Sequence, residues 1–205
     1  MKKLILASAS PRRRELLEQI GLDAEVIIGH ADESAEIEQP DILVKELAKR
    51  KCSAVFGFLF GKTEERHEYY ILGADTVVVH NGTILGKPKD RQDAVKMLRS
   101  LQGSTHQVFT GVCIVHAAKK ETFPESDSKH IRLFSVCTDV SVDPMTESEI
   151  GAYVNSGEPM DKAGAYGIQG LFARHIGGIR GEYTNVVGLP VSAVYRALRE
   201  LHYYE

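Results

Sequence analysis

The chain has 205 residues, a net charge of -3 at pH 7 and 43% hydrophobic residues, as is ordinary for a globular protein. A chain this long needs no disulfide or metal to fold, so one domain or two small lobes are expected. The slightly acidic balance argues against broad electrostatic binding to nucleic acid, so any phosphate binding must be local. No apolar run approaches the roughly 20 residues of a membrane span.

The N-terminal segment combines a strand signal with a basic helix start. The apolar run 4–7 predicts a short strand, and Ser8-Ala9-Ser10-Pro11-Arg12-Arg13-Arg14 follows it directly. Ser10 suits a helix N-cap and Pro11 suits the first helical position, with Leu16, Leu17 and Ile20 as the apolar stripe and Gly21 as the end. Three cations in a first turn oppose the helix dipole unless an anion binds there. The segment predicts a phosphate-binding cradle, and the alternative is a solvated basic turn.

The remaining elements follow from periodicity and turn signals. Strands are predicted at 24–28, 70–79, 83–85, 106–116 and 132–142. Helices are predicted at 41–56, 91–101, 146–154 and 190–201, the third with Thr146 and Glu149 in a capping box. Asn81-Gly82 is a hairpin turn signal, 31–36 is an acidic loop, 119–129 is a polar loop, and 157–188 is too glycine-rich to assign. Alternating strands and helices with long middle strands predict an α/β or α+β fold around a mixed sheet.

The cysteines and the first residues indicate the compartment. Cys52, Cys113 and Cys137 are an odd number without a C-x-x-C pair, and we expect small reduced core residues in a reducing compartment. The apolar run after Met1 is too short for a signal peptide, so a cytoplasmic protein is expected. The eight histidines show no zinc-ligand spacing.

Two acidic positions could do chemistry. Asp75 begins a strand that should be buried, where an isolated charge is unfavourable, so it is paired, solvated in a cleft, bound to a metal, or capping a turn. Glu33 lies in the acidic loop, where a solvated surface acid is the plainer interpretation. Two carboxylates brought together would suit Mg²⁺, which favours one or two carboxylates plus phosphate oxygens.

Two lysines and a glycine-rich segment complete the candidates. Lys87 lies in Gly86-Lys87-Pro88, where the restricted backbone could present its ammonium to an anion, and Lys51 lies on the predicted helix 41–56. Either could equally be a solvated surface lysine. The segment 161–170 surrounds Tyr166 and Gln169 with small residues, which permits close backbone approach to a ligand. Gln169 could pair with the edge of a base, whereas the plainer alternative is a connector with a core tyrosine.

Together these groups suggest a polyphosphate cradle, carboxylates for a divalent ion and an amide for a base. Neither a P-loop GxxxxGK[ST] nor a G-x-G-x-x-G is present. The pattern resembles the Maf family, the septum-formation-inhibitor-like nucleoside triphosphate pyrophosphatases, over nearly the whole chain. The resemblance rests on eight pieces in order: Ser8-Ala9-Ser10-Pro11-Arg12-Arg13, Asp32-Glu33, Leu47-Ala48 with Lys51, Gly73-Ala74-Asp75-Thr76, Gly86-Lys87-Pro88, His106 with Thr110-Gly111, Asp161-Lys162-Ala163-Gly164-Ala165-Tyr166, and Asn185-Val186 with Gly188-Leu189-Pro190.

The resemblance implies hydrolysis between the α- and β-phosphates of a nucleotide, giving a monophosphate and pyrophosphate. It implies a single Maf-like domain over 1–205, with an elongated mixed sheet flanked by helices and a cleft between two lobes, similar to inosine-triphosphate pyrophosphatase. It also implies a divalent cation, Mg²⁺ or Mn²⁺, a nucleoside triphosphate substrate and a possible homodimer, with neither a nucleic acid nor a membrane as partner.

Site roles carry over by position. Asp75 matches the proposed acceptor of a proton from the attacking water, and Glu33 matches a second catalytic carboxylate, so both are expected to hold the metal. The phosphate-binding set is matched by four residues: Ser8, Arg13, Lys51 and Lys87. They would offset charge on the triphosphate as the transition state forms, and Lys51 and Lys87 are therefore expected to be catalytic. Base selection in the subgroup resembling dTTP/UTP pyrophosphatases is matched by Arg12, Thr76 and Gln169, which favours a pyrimidine over 7-methyl-GTP. Cys52 departs from the small residue, often Ala, that commonly follows the helix lysine.

Three functions remain open on sequence grounds. A metal-dependent pyrophosphatase needs Asp75, whereas a nucleotide-binding regulator of cell division without turnover would use the same cradle and would not. A phosphatase acting on the terminal phosphate would release orthophosphate first, but the chain lacks the nucleophilic Asp or Cys motif of a covalent phosphatase.

Overall fold

The computed structural model describes residues 2–32, 34–62, 68–117, 122–125 and 129–205. In chain order these form β1 (Lys2–Leu6), α1 (Pro11–Gln19), β2 (Glu25–Val26), α2 (Pro40–Lys62), β3 (Glu68–His80), β4 (Thr83–Leu85), α3 (Arg91–Leu101), β5 (Thr105–Ala117), β6 (Ile131–Val142), α4 (Glu147–Asn155), β7 (Ile176–Arg180), α5 (Tyr183–Val187) and α6 (Val191–Glu200). Single 3₁₀ turns occupy Glu158–Asp161, Ala163–Ala165 and Leu171–His175.

The strands form one mixed sheet in the order β2-β1-β3-β5-β6-β7, with β4 paired to β3. Strand β1 is parallel to both β2 and β3, whereas β4 is antiparallel to β3 and β7 is antiparallel to β6. The predicted mixed α/β class is therefore confirmed.

The chain divides into two compact units. The first unit comprises Met1–Asp75, Thr110–Val136 and Gly188–Glu205, and the second unit comprises Thr76–Phe109 and Cys137–Val187.

In the first unit, helix α2 lies directly on the sheet because two glycines leave room for its backbone. A Cβ at Gly73 of β3 would lie 2.5 Å from the carbonyl oxygen of Ala48, and one at Gly111 of β5 would lie 2.3 Å from that of Val44. The apolar face of α2 is buried here, including Leu43, Leu47 and Val55 as the sequence indicates. The glycines of the Gly73 and Gly111 motifs are thus packing positions.

In the second unit, α3 packs against α4, and a side chain caps the first turn of each helix. The carboxylate of Asp90 accepts from the backbone N–H of Asp93, and Thr146 forms the predicted capping box with Glu149. The ring of Phe172 lies against the tilted rings of Tyr153 and Tyr166, with centroids 5.0 and 4.8 Å apart, so an aromatic cluster anchors the glycine-rich segment.

Several boundaries differ from the prediction. Strand β2 has only two residues, both exposed, and α2 extends to Lys62 because Phe56 and Leu59 continue its buried face. Strand β3 is continuous from Glu68 to His80. Much of the predicted loop 119–129 lies outside the described residues.

The cysteine prediction is wrong for one residue. Cys52 and Cys113 are buried, but Cys137 is exposed on β6, because strand alternation turns it away from the core side. Ile20 is also less buried than the predicted apolar stripe of the first helix suggested, since it lies at the edge of that stripe and is only half-buried.

Helices long and apolar enough to span a bilayer are not found among the described residues.

Candidate active site

The N-terminal turn of the first unit is held by Arg13. Its Nη1 donates to Ser8 Oγ at 2.9 Å, and its Nε donates to the carbonyl oxygen of Gly188 at 2.8 Å. Both Ser8 and Arg13 are buried, at 8% and 9% exposure. The guanidinium therefore lies against the loop between β1 and α1, with its position fixed by two neutral acceptors.

The start of α1 carries the features of an anion site. Pro11 occupies the first turn, no acidic residue lies in it, and Ser10 makes no side-chain capping bond within the described structure. Backbone N–H groups at such a helix start favour negative charge. The three arginines differ in surroundings, because Arg13 is buried, Arg12 is half-buried, and Arg14 forms an exposed ion pair with Glu18 at 2.7 Å.

The strand pairing brings this turn beside the candidate acid. Leu6 of β1 is paired with Leu72 of the parallel β3, and the N–H of Ala7 donates to the carbonyl oxygen of Leu72 at 2.8 Å. The chain therefore leaves β1 at Ser8 alongside the β3 residues that lead to Asp75. Carboxyl ends of neighbouring parallel strands commonly form ligand sites.

Asp75 is paired with Lys51. Lys51 Nζ lies 2.6 Å from Asp75 Oδ1, and each side chain retains only 16% exposure. Of the alternatives that the sequence left open for Asp75, the structure shows an ion pair, and Lys51 is not the solvated helical lysine of the plainer interpretation. A carboxylate has about four lone-pair positions, so this one N–H leaves Asp75 able to bind a further donor or cation.

The pair exists because of the close approach at Gly73. Ala48 and Cys52, one on each side of Lys51 in α2, are the residues that a Cβ at Gly73 would strike. The thiol of Cys52 is wholly buried and donates to the carbonyl oxygens of Ile71 and Cys113 at 3.4 and 3.3 Å. Burial raises the pKa of Cys52 strongly, so this departure from the family pattern is an unreactive packing residue.

The metal prediction rests on Asp75 and Glu33, and Glu33 lies outside the described residues. Within the ranges that the structure describes, no group of three or more His, Cys, Asp or Glu side chains could hold a metal ion. A magnesium ion needs fewer protein ligands, because substrate phosphates and water complete its shell. Asp75 fits such a role on its own chemistry, with its remaining lone pairs as ligands.

In the second unit the Lys87 loop is joined to the glycine-rich segment. The N–H of Gly164 donates to the carbonyl oxygen of Gly86 at 3.0 Å. Gly164 has a φ of 67°, and a Cβ at this position would collide with the side chain of Val78. Lys87 itself is exposed. The backbone thus brings the loop of Lys87 to the segment that also carries Gln169.

The other residues of this segment divide between core and surface. Tyr166 is buried, and its hydroxyl lies 2.7 Å from His106 Nε2, which makes it the core tyrosine of the plainer interpretation. Gln169 is exposed, and Thr76, the residue after Asp75 in β3, is half-buried. Burial lowers the pKa of His106 to about 4, with His80 adding to the effect, so the imidazole is neutral.

Sequence reasoning missed the hydrogen-bonded pair of Glu158 and Tyr153, which contacts the loop that carries Gln169. Glu158 accepts hydrogen bonds from the hydroxyl of Tyr153 and the N–H of Leu171. Neither residue lies in a chemical motif, and the only signal was the pair of glycines, Gly167 and Gly170, that flank Gln169.

The mixed α/β fold, the basic helix start and the lysine–aspartate pair define a protein with a site suited to phosphate. The family described as Maf-like protein matches residues 3–201, and the chain belongs to the Maf family.

The chain is also similar to curated proteins along its full length. One from Agathobacter rectalis is 47% identical over 207 residues, covering 98% of both chains. One from Pelotomaculum thermopropionicum is 44% identical over 204 residues, covering 99% of this chain and 98% of the relative. One from Bacillus thuringiensis subsp. konkukian is 43% identical over 206 residues, covering 98% and 97%. All three relatives are named dTTP/UTP pyrophosphatase.

Proposed function

We propose that this protein is a nucleoside triphosphate pyrophosphatase that converts dTTP or UTP to the nucleoside monophosphate and pyrophosphate. Full-length similarity to proteins named dTTP/UTP pyrophosphatase supports the reaction and the substrate class. The observation that carries the proposal within the structure is the ion pair between Lys51 of α2 and Asp75 of β3, next to the strand that leads to Ser8 and Arg13.

Phosphate binding is proposed for Ser8, Arg13 and the backbone N–H groups at the start of α1. The guanidinium and the helix dipole both favour the negative charge of the triphosphate, and a guanidinium suits phosphate oxygens because of its planar fork. We assign compensation of phosphate charge to Lys51 and, from the family resemblance, to Lys87. The hydrogen bond to Asp75 restricts the side chain of Lys51, so its ammonium group is held in a fixed position.

Asp75 is proposed as the acceptor of the proton from the attacking water. The water oxygen bonds to the α-phosphorus as the bond between that phosphorus and the α–β bridging oxygen breaks. The water proton passes to the carboxylate, and pyrophosphate leaves as the anion. The pairing with Lys51 keeps the carboxylate oriented.

The proposed metal is Mg²⁺ or Mn²⁺, held by Asp75 and Glu33 together with phosphate oxygens. When bound, it would neutralise charge on the phosphates as the transition state forms. Two points support this metal: Asp75 is a carboxylate, and Mg²⁺ is usually bound by only one or two protein carboxylates.

Pyrimidine selection is proposed for Arg12, Thr76 and Gln169. Exposure of Gln169 leaves its amide able to meet a ligand, and both Arg12 and Thr76 are half-buried. A homodimer is proposed from the family resemblance, and a cytoplasmic location from the odd number of cysteines without a C-x-x-C pair. Light scattering on the purified protein and fractionation of the source cells test these two proposals.

The function is tested by a product-resolved assay with dTTP, UTP, dCTP and GTP at several Mg²⁺ and Mn²⁺ concentrations. We expect pyrophosphate and monophosphate from dTTP and UTP, and Asp75→Asn is expected to abolish both. Asp41→Asn is the matched control, because Asp41 also pairs with a lysine of α2 but at the surface. Tight nucleotide binding without turnover would favour the regulatory alternative, and orthophosphate as first product would favour the terminal phosphatase.

A further inference from the structure

The loop that carries Gln169 is tied at both ends to one pair of side chains. Glu158 Oε1 accepts from the hydroxyl of Tyr153 at 3.0 Å, and Glu158 Oε2 accepts from the N–H of Leu171 at 3.1 Å. The N–H of Gly167 donates to the hydroxyl of Tyr153 at 3.2 Å. Gln169 therefore lies midway along a five-residue loop whose first and last N–H groups both end on the Glu158–Tyr153 pair.

The glycines of the loop fit it around these side chains. Gly170 has a φ of 146°, and a Cβ there would lie 2.8 Å from both carboxylate oxygens of Glu158. A Cβ at Gly167 would lie 2.6 Å from Cε of Lys162. Because only glycine has no Cβ, the loop can rest on Glu158 and Lys162 at this distance.

The pair itself is fixed from outside the loop. Tyr153 is buried on α4, and Lys162 Nζ donates to the main-chain oxygen of Glu158 at 2.7 Å. Burial raises the pKa of Tyr153, so its hydroxyl keeps its proton and donates to the carboxylate. The anchor is therefore a charge-assisted hydrogen bond on a helix, which is stronger than a neutral one.

We propose that Glu158 is a positioning residue that sets the orientation of Gln169, and thereby the preference for thymine and uracil over cytosine. The inference rests on the proposed function, in which the amide of Gln169 meets the base. Thymine and uracil present a carbonyl where cytosine presents an amino group. An amide distinguishes them only if its donor and acceptor ends are held in one orientation, and an exposed loop without an anchor would let it turn.

The test compares the kcat/KM ratio for dTTP over dCTP among variants, measured by pyrophosphate release. Glu158→Ala is expected to lower this ratio roughly tenfold, as expected for losing a charge-assisted hydrogen bond, mainly through KM for dTTP. Glu158→Gln should recover part of the ratio, because its amide oxygen can still accept from Leu171. Combined with Gln169→Ala, Glu158→Ala should lower the ratio no further, since both act through one amide.

A structural control and a second variant keep the test decisive. Thr146→Ala removes the capping box of α4, the helix that carries Tyr153, and should lower stability while the ratio stays unchanged. Tyr153→Phe removes only the hydroxyl and should lower the ratio as Glu158→Ala does. It therefore decides the question if Glu158→Ala does not fold.

The outcomes separate the two proposals. If Gln169→Ala lowers the ratio but Glu158→Ala and Tyr153→Phe reduce turnover of both nucleotides equally, the positioning role is wrong and the proposed function stands. If Gln169→Ala leaves the ratio unchanged, the positioning role also fails, because Glu158 would have no amide to act through. A wild type that releases no pyrophosphate from either nucleotide would overturn the proposed function, and the positioning role with it.

Discussion

Replacing Lys51 by Met removes the ammonium group that pairs with Asp75. The carboxylate of Asp75, only 16% exposed, then lacks this charge partner. At 2.6 Å, Coulomb attraction with an effective dielectric constant of about 20 is roughly 6 kcal/mol, most of which is offset by desolvation of both groups. Breaking a buried pair typically costs about 3–5 kcal/mol, and the residual exposure reduces this. We expect Lys51→Met to lower the free energy of unfolding by about 2 kcal/mol.

The double variant isolates the pair. Lys51→Met with Asp75→Asn leaves no uncompensated charge, so it should be more stable than the sum of the single changes predicts, by about 1 kcal/mol or more. Lys45→Met is the control, because Lys45 pairs with Asp41 at 3.2 Å on the surface, where such pairs contribute about 0.3–0.5 kcal/mol.

Urea unfolding followed by far-ultraviolet circular dichroism suits this test, because the chain has no tryptophan. All variants at Lys51 and Asp75 should lose pyrophosphate release whatever their stability, since the pair belongs to the proposed site. Single changes whose stability costs simply add, or a Lys45→Met cost equal to that of Lys51→Met, would refute the reasoning.

Three further predictions concern packing, pH and phosphate binding. Gly73→Ala should destabilise the fold by about 2 kcal/mol or more, because the added Cβ meets the backbone of α2. Gly57→Ala is the control, because the space around Gly57 is open, and it should stabilise α2 by up to about 1 kcal/mol. Melting temperatures measure both effects. The pKa of His106 is about 4 in the folded protein and 6.5 in the unfolded chain. The unfolded chain therefore protonates this imidazole at a higher pH than the folded protein does. Stability should therefore fall by about 3 kcal/mol from pH 6.5 to pH 4, and His106→Gln should flatten that fall in urea titrations at stepped pH. Arg13→Lys should raise KM for dTTP roughly tenfold or more, since an ammonium cannot replace a guanidinium that reaches Ser8 and Gly188 together; an unchanged KM would contradict this.

The elements that the sequence predicted well are those with local signals. The capping box of Thr146 and Glu149 marks the start of α4, and Asn81 and Gly82 both adopt the positive φ that their turn requires. Such signals depend on residues close in the chain, so tertiary packing does not override them.

The site was predictable only in its chemistry. Residue types and order indicated that Lys51 and Asp75 matter, but nothing local shows that they pair, because their contact depends on α2 resting on Gly73, more than twenty residues along the chain. The exposure of Cys137 likewise depends on which way β6 faces. An apolar neighbourhood in sequence does not decide it.

The segment 157–188 could not be assigned because its elements are short. Its 3₁₀ turns have three to five residues, too few for a hydrophobic period, and Gly164, Gly170 and Gly181 adopt backbone conformations that side chains rarely allow. Hydrogen bonds between separate parts of this region help to hold it: Glu158 accepts from Tyr153, five residues earlier, and from Leu171, thirteen residues later.

The most direct test of the account is the first product formed from dTTP by wild type and Asp75→Asn in the presence of Mg²⁺. We expect equal amounts of dTMP and pyrophosphate from the wild type and neither from the variant. Orthophosphate with dTDP, or unchanged turnover in Asp75→Asn, would contradict it.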